Sequence, residues 1–166
     1  MNTGHAAAID TSILSGKYLT FTLGSEEYGL PVLKVREIIK MLDITHVPQV
    51  PAHVKGVINL RGKVIPVVDL RLKFGFPEHD YTERTCVIVV EVALPSGRVM
   101  MGIVVDAVSE VLNIIADDIE PTPDFGERVE TDYMKGIAKI RGRVKILLDL
   151  DRVLGADGVI PMGTAA

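Results

Sequence analysis

Two aspartates set the first chemical question. Asp69 and Asp149 stand at the same place in a passage that this 166-residue chain writes twice, "KGVINLRGKVIPVVDLRLKFG" from Lys55 and "KGIAKIRGRVKILLDLDRVLG" from Lys135. Carboxylates paired across duplicated lobes can share a proton, because both cannot ionise side by side, and such a pair is the machinery of a two-lobed hydrolase. The local sequence favours another role. Neither Asp precedes the small hydroxyl residue and Gly that would expose it; Leu and a cap-like segment follow instead. That is the setting of a helix N-cap, which accepts backbone N–H bonds. Hydrolysis by Asp69 and Asp149 stays as the remote alternative.

Other chemistry finds less support. His5, His46, His53 and His79 have no i/i+4 helical spacing and no neighbouring Cys, so no metal site is expected. Neither GxxxxGK[ST] nor GxSxG occurs, and the Arg61-Gly62 and Arg141-Gly142 pairs lack the glycine run of a phosphate cradle. No catalytic set and no cofactor is expected. The single cysteine, Cys86, sits in a Val/Ile run and reads as a small buried hydrophobe. A net charge of −4 and a pI near 5.5 argue against nucleic acid as the partner. The densest apolar runs are cut by Glu91, Asp106 and Glu110, too early for a membrane span. No membrane insertion is expected, and the location is read as cytoplasmic.

What must position these residues is mostly β. Val and Ile number 38 against 15 Leu, and β-branched side chains favour a pleated face. "KYLTFTL" alternates, "GSEE" turns and "YGLPV" returns, giving a hairpin. "VLKVREIIKM" changes period and is read as a one-turn connector. "HVPQVPAHV" is irregular. "GVINL", "RG" and "KVIPVV" form a second hairpin, with Gly62 supplying positive φ. Asp69 then caps a short helix that Gly75 ends. The second half repeats the order: "CVIVVEV" and "RVMMGIVVD" form a hairpin, and "MGIVVDAVSEV" repeats the Gly, Val, Val and Glu of "YGLPVLKVREI".

Two copies are too few for a solenoid, and closing each sheet removes exposed edges. The expected architecture is two five-stranded β-barrels, about 17–80 and 84–155, with short helical connectors and strands possibly exchanged between them. They share an apolar interface that leaves a groove. Residues 1–16 and 156–166 read as tails. Val35, with its connector, and the twin Val108 either line the seam or form an exposed binding patch. Arg61, at a hairpin tip beside apolar neighbours, is a good anchor for a partner carboxylate.

The stretches "FTLGSEEYGLPVLKVREI", "GVINLRGKVIPVVDLR", "MGIVVDAVSEVL" and "YMKGIAKIRGRVKILLDLDRVL" together resemble the CheW family of chemotaxis coupling proteins. The resemblance runs from about Lys17 to Leu154. It implies SH3-like barrels and a non-enzymatic adaptor joining the cytoplasmic tips of methyl-accepting chemoreceptors to the regulatory domain of the histidine kinase CheA. It also implies recruitment to membrane-associated receptor arrays. Val35, Glu37, Gly56, Arg61, Val108 and Val111 match receptor-binding positions; Phe125 and Gly136 match kinase-facing ones. Arg61 would pair with a receptor acid, Val35 and Val108 would offer apolar contact, and a side chain at Gly56 would clash. Service to a CheA-type kinase in a non-flagellar pathway, such as surface motility, is the alternative. The second Arg-Gly pair departs from many relatives and is read as a turn.

Overall fold

The computed structural model describes residues 14–78, 80–123 and 133–155. Phe125, His5, His79 and most of both expected tails lie outside these residues.

Among the described residues, eleven strands build two sheets. The first half contributes β1 (Gly16–Leu23), β2 (Glu26–Pro31), β3 (Val35–Lys40), β4 (Val54–Leu60) and β5 (Lys63–Asp69), followed by helix α1 (Leu70–Lys73). The second contributes β6 (Cys86–Leu94), β7 (Gly97–Val105), β8 (Ala107–Ile114), β9 (Ile119–Glu120), β10 (Met134–Ile140) and β11 (Arg143–Leu148), then α2 (Leu150–Gly155). One sheet runs β8-β1-β2-β11-β10-β9 and the other β3-β6-β7-β5-β4. The architecture is the mostly β pair of SH3-like sheets, with a sixth, two-residue strand on one of them.

A boundary at residues 80–84 does not describe these sheets. The β1–β2 hairpin sits with strands of the second half, and the β6–β7 hairpin sits with strands of the first. Connector length explains the exchange. In its own half's sheet β3 would run parallel to β2, and a parallel return needs about a dozen residues or more. Only the 3-10 turn Val32–Lys34 separates β2 from β3, and only Asp106 separates β7 from β8. Each chain end therefore leaves for the other sheet.

The expected connector over "VLKVREIIKM" is corrected in part. One 3-10 turn is present, but Val35–Lys40 is a strand that alternates half-buried and exposed residues. Its β-branched Val35, Ile38 and Ile39 suit a pleated edge better than a helix.

The apolar surplus fills three cores. The largest has eighteen buried residues, against six and five in the two sheet interiors. It joins Leu19, Phe21 and Leu30 of one sheet to Ile88, Met101 and Ile103 of the other, under Leu70 and Leu150 of the helices. Alternation on β6 feeds both sides: Val87 and Val89 face a sheet interior, while Ile88, Val90 and Val92 face the seam. Strands buried on both faces read as continuous apolar runs.

Each sheet closes where returning chain crosses a hairpin. Thr45 exchanges both backbone hydrogen bonds with Val57 on β4, at 2.8 and 2.9 Å. In the other sheet β9 pairs with β10, Ile137 opposite Glu120.

Candidate docking surface

Asp69 and Asp149 are structural. The Asp69 side chain accepts from the backbone N–H groups of Arg71, at 2.9 Å, and Leu72. Burial pushes its carboxyl pKa up, and those two hydrogen bonds oppose the rise. Asp149 accepts from the N–H of Arg152 at 3.3 Å. Each carboxylate thus serves its own helix, at the end of a strand in a different sheet. A shared-proton pair is not what holds them. Tyr81 packs near Asp69, and burial together with that acid's charge pushes its hydroxyl up to about 12. Cys86 is half-buried, and burial raises its thiol pKa too, which disfavours the reactive thiolate. Among the described residues no group of three His, Cys, Asp or Glu side chains could hold a metal, and no helix is long and apolar enough to cross a membrane.

The remaining candidates gather at strand edges and hairpin tips. Val35 opens β3 and Val108 sits near the start of β8, each half-buried and packed on the seam core. They support the seam and still show a face to solvent. Three residues along each strand, Val111 is 56% exposed, and its counterpart on β3, Ile38, is 45% exposed.

Arg61 and Gly62 form the β4–β5 turn with φ of 52° and 85°. Positive φ at both central residues is the mirror-image turn whose twist fits a two-residue hairpin. It points the Arg61 guanidinium across the closed sheet to β3, where it grips Glu37 in a fork, two bonds of 2.7 Å. That hydrogen bonding and charge hold the Glu37 carboxyl below the usual carboxylate range. Arg61 was expected to wait for a receptor acid; it already has one from its own chain. An incoming carboxylate must share the guanidinium or displace Glu37.

Gly56 lies against this chain's own backbone. It is buried in β4 with φ of 139°, and an added Cβ would lie 2.0 Å from the Thr45 carbonyl oxygen. The clash expected for a side chain there falls on this chain's own closing strand, not on a partner. Gly136 repeats the design: it is buried in β10, and a Cβ would lie 2.9 Å from the Glu120 oxygen. Both glycines shape a barrel from within.

Sequence reasoning missed Leu33. It is 94% exposed on the Val32–Lys34 turn, between two cavities of about 400 Å³ lined in common by Pro31 and Lys135. Its signal was available by aligning the repeats, since Asp106 takes the corresponding place in "GIVVDAV". An apolar residue where the twin is charged marks a surface under a different demand.

A family model described as CheW-like domain matches residues 17–157. The chain belongs to the CheW family. A Chemotaxis protein CheW of Klebsiella aerogenes is 42% identical over 141 residues, covering 85% of this chain and 82% of that one. A Chemotaxis protein CheW of Rhizobium meliloti is 38% identical over 139 residues, covering 84% and 87%. Among solved structures, that of the scaffolding protein TtCheW from Thermoanaerobacter tengcongensis matches with a TM-score of 0.74 at 36% identity, over 84% of this chain and 92% of that chain.

Proposed function

We propose that this chain is a non-enzymatic adaptor that couples methyl-accepting chemoreceptors to the histidine kinase CheA. The observation that carries this reading is the unbroken match of residues 17–157 to the CheW-like family, with 42% identity to a chemotaxis CheW. The chemistry of the surface agrees with it. Val35 offers apolar contact on β3, two residues from Glu37 of the Glu37–Arg61 pair, and Val108 and Val111 offer it on β8; apolar contacts with a charged anchor are the mixture that seats an amphipathic helix in a groove. Gly56 acts on that face indirectly, by letting Thr45 close the sheet beneath it. On the kinase side, Gly136 shapes the β9–β10 closure and Phe125 supplies apolar contact. Aspartates engaged in helix capping leave no general acid–base pair. The adaptor works in the cytoplasm, at membrane-associated receptor arrays.

The test is a binding titration of labelled adaptor with a CheA regulatory domain, and separately with a receptor cytoplasmic fragment. Saturable binding to both is expected. No binding to either at high micromolar concentration would overturn the reading.

A further inference from the structure

The short connectors force each first hairpin into a foreign sheet, but they do not say whose. The foreign sheet could be built by the other half of the same chain, or by the like half of a second copy. Three ion pairs stand where each arriving hairpin meets its host. On β2, Glu27 lies opposite Lys145 of β11, and their side chains form a largely buried ion pair. The matching place in the other sheet, by the ladder that pairs Val67 with Gly102, is Met100 beside Ile65. That seat is apolar. Just past β2, Lys34 pairs with Asp151 of α2 at 2.9 Å. Just past β7, Asp106 pairs with Arg71 of α1 at 2.8 Å. Arg71 and Asp151 are counterparts, each two residues beyond a capping Asp. The clamp is therefore built twice with its signs reversed, its hairpin arm at Asp106 in one copy and at Lys34, one residue past the matching Leu33, in the other.

We propose that Glu27–Lys145, Lys34–Asp151 and Asp106–Arg71 form a pairing code that makes each half accept only the other half and refuse its like in a second copy of the chain. The reversed signs do this. If two first halves exchanged hairpins, Lys34 would meet Arg71 and Glu27 would be buried against Ile65. If two second halves did, Asp106 would meet Asp151 and Lys145 would be buried against Met100. Every mismatch is a like-charge contact or a buried charge parted from its nearest partner, Lys63 at the place of Arg143 leaving Glu27 only the outer of its two cations; such contacts are the devices by which proteins reject wrong partners. Unlike halves satisfy all three pairs together. The sharing of one chain between the two halves raises their effective concentration; the code adds chemical selectivity to that advantage.

The native Cys86 reports which pairing forms. It lies opposite Lys40 across β3 and β6, while its counterpart in β1, Lys17, lies opposite Asn113 of β8. Lys40→Cys therefore places a thiol beside Cys86 when unlike halves pair. Asn113→Cys places one beside Cys86 only when two second halves pair, which requires a second copy. Each reporter is built into the full chain, refolded from denaturant at high protein concentration, mildly oxidised and run on a non-reducing gel.

With the native charges, Lys40→Cys gives an intrachain disulfide and Asn113→Cys gives no covalent dimer. The code is inverted by Arg71→Asp, Asp151→Arg, Glu27→Met and Met100→Glu together. The Asn113→Cys covalent dimer should then become the main product, and the Lys40→Cys intrachain yield should fall by more than half. A gentler variant, Glu27→Met with Lys145→Ile, deletes one arm without stranding a charge and should give a lesser dimer yield above the native one. If the inverted chain fails to refold, the gentler variant decides. Native-like disulfide patterns in every variant that refolds would overturn the proposal and leave tethering as the sole selector.

Discussion

At the tip of β4 and β5, Arg61 is held in a fork by Glu37; at the tip of β10 and β11, Arg141 and its matching acid Glu110 form no ion pair among the described residues. The backbones are nearly the same, with φ of 52° and 85° at Arg61-Gly62 and 53° and 77° at Arg141-Gly142. Apolar exposure matches as well: Val64 and Val144 are 65% and 51% exposed, Ile38 and Val111 45% and 56%. Duplication has thus preserved the turn and its apolar setting while the electrostatics parted. Turn geometry comes from local backbone preference, whereas the ion pair depends on how the facing edge closes. In one sheet Thr45 draws the chain after β3 onto β4 directly. In the other, a two-residue strand and a Glu120–Lys139 pair at 2.7 Å close the gap instead, so the acid used lies further along the chain.

The sharpest way to break the comparison is at the two glycines beneath these closures. Gly56→Ala meets a backbone carbonyl at 2.0 Å and a φ of 139° that side chains rarely adopt. Thr45 cannot retreat without losing both bonds to Val57, so the cost should be about 4 kcal/mol or the fold should fail. Gly136→Ala meets the Glu120 oxygen at 2.9 Å, with no left-handed φ to add strain. There the edge strand has only to shift slightly, for about 1–2 kcal/mol. Urea denaturation of both variants measures the difference, and equal losses would break the ranking.

Next comes the seat under β2. Lys145→Met strips Glu27 of its nearest cation and leaves Arg143, at 3.6 Å, as the remaining one. A loss of about 2–3 kcal/mol is expected, below the usual range for orphaning a buried charge because of that second cation. Adding Glu27→Met should recover most of it, since the pair then takes on the apolar chemistry of Met100 and Ile65. A double-mutant cycle reads the coupling directly. Its absence would show that the two seats do not differ in the way their charges imply.

Much of this was legible in the sequence. The hairpins, the Arg-Gly turns and the Asp caps followed from period-2 patterning and turn chemistry, which act over a few residues. The exchange of hairpins was left open, because it depends on the number of residues between β2 and β3, and that number was hidden while "VREIIK" was read as a connector. Gly56 was placed by resemblance on a contact surface; its actual neighbour, Thr45, lies eleven residues upstream in an irregular stretch without a pattern to locate it. Glu37 and Arg61 were both singled out, yet their union was not, since an ion pair across a closed sheet leaves no periodic trace. Leu33 was passed over because a single exposed Leu is unremarkable until its twin proves to be Asp106.

Binding gives a smaller, cleaner contrast. Arg61→Ala and Arg141→Ala should each leave stability nearly unchanged, as expected for exposed charges. Under the adaptor reading, Arg61→Ala should weaken binding of the receptor fragment roughly tenfold, as for an anchoring Arg. Arg141→Ala should leave that affinity unchanged. Equal losses at both tips would mean that the second Arg-Gly turn is also a docking element.

The smallest effect isolates the fork itself. Hydrogen bonding from Arg61 depresses the Glu37 carboxyl pKa in the folded protein. A depressed acid contributes stability above its unfolded pKa and loses that contribution as pH falls through the folded value. The fork should therefore open only on strong acidification, below the ordinary Glu range near ~4.3. Following the Glu37 side-chain carboxyl by NMR during an acid titration tests this. Arg61→Ala should return the Glu37 midpoint upward toward that range, and Arg141→Ala should not move it. High salt should also raise it, because this pair is exposed and screening weakens exposed pairs most. A midpoint indifferent to Arg61 would mean that the fork is not maintained in solution, and the two tips would then be electrostatic equals.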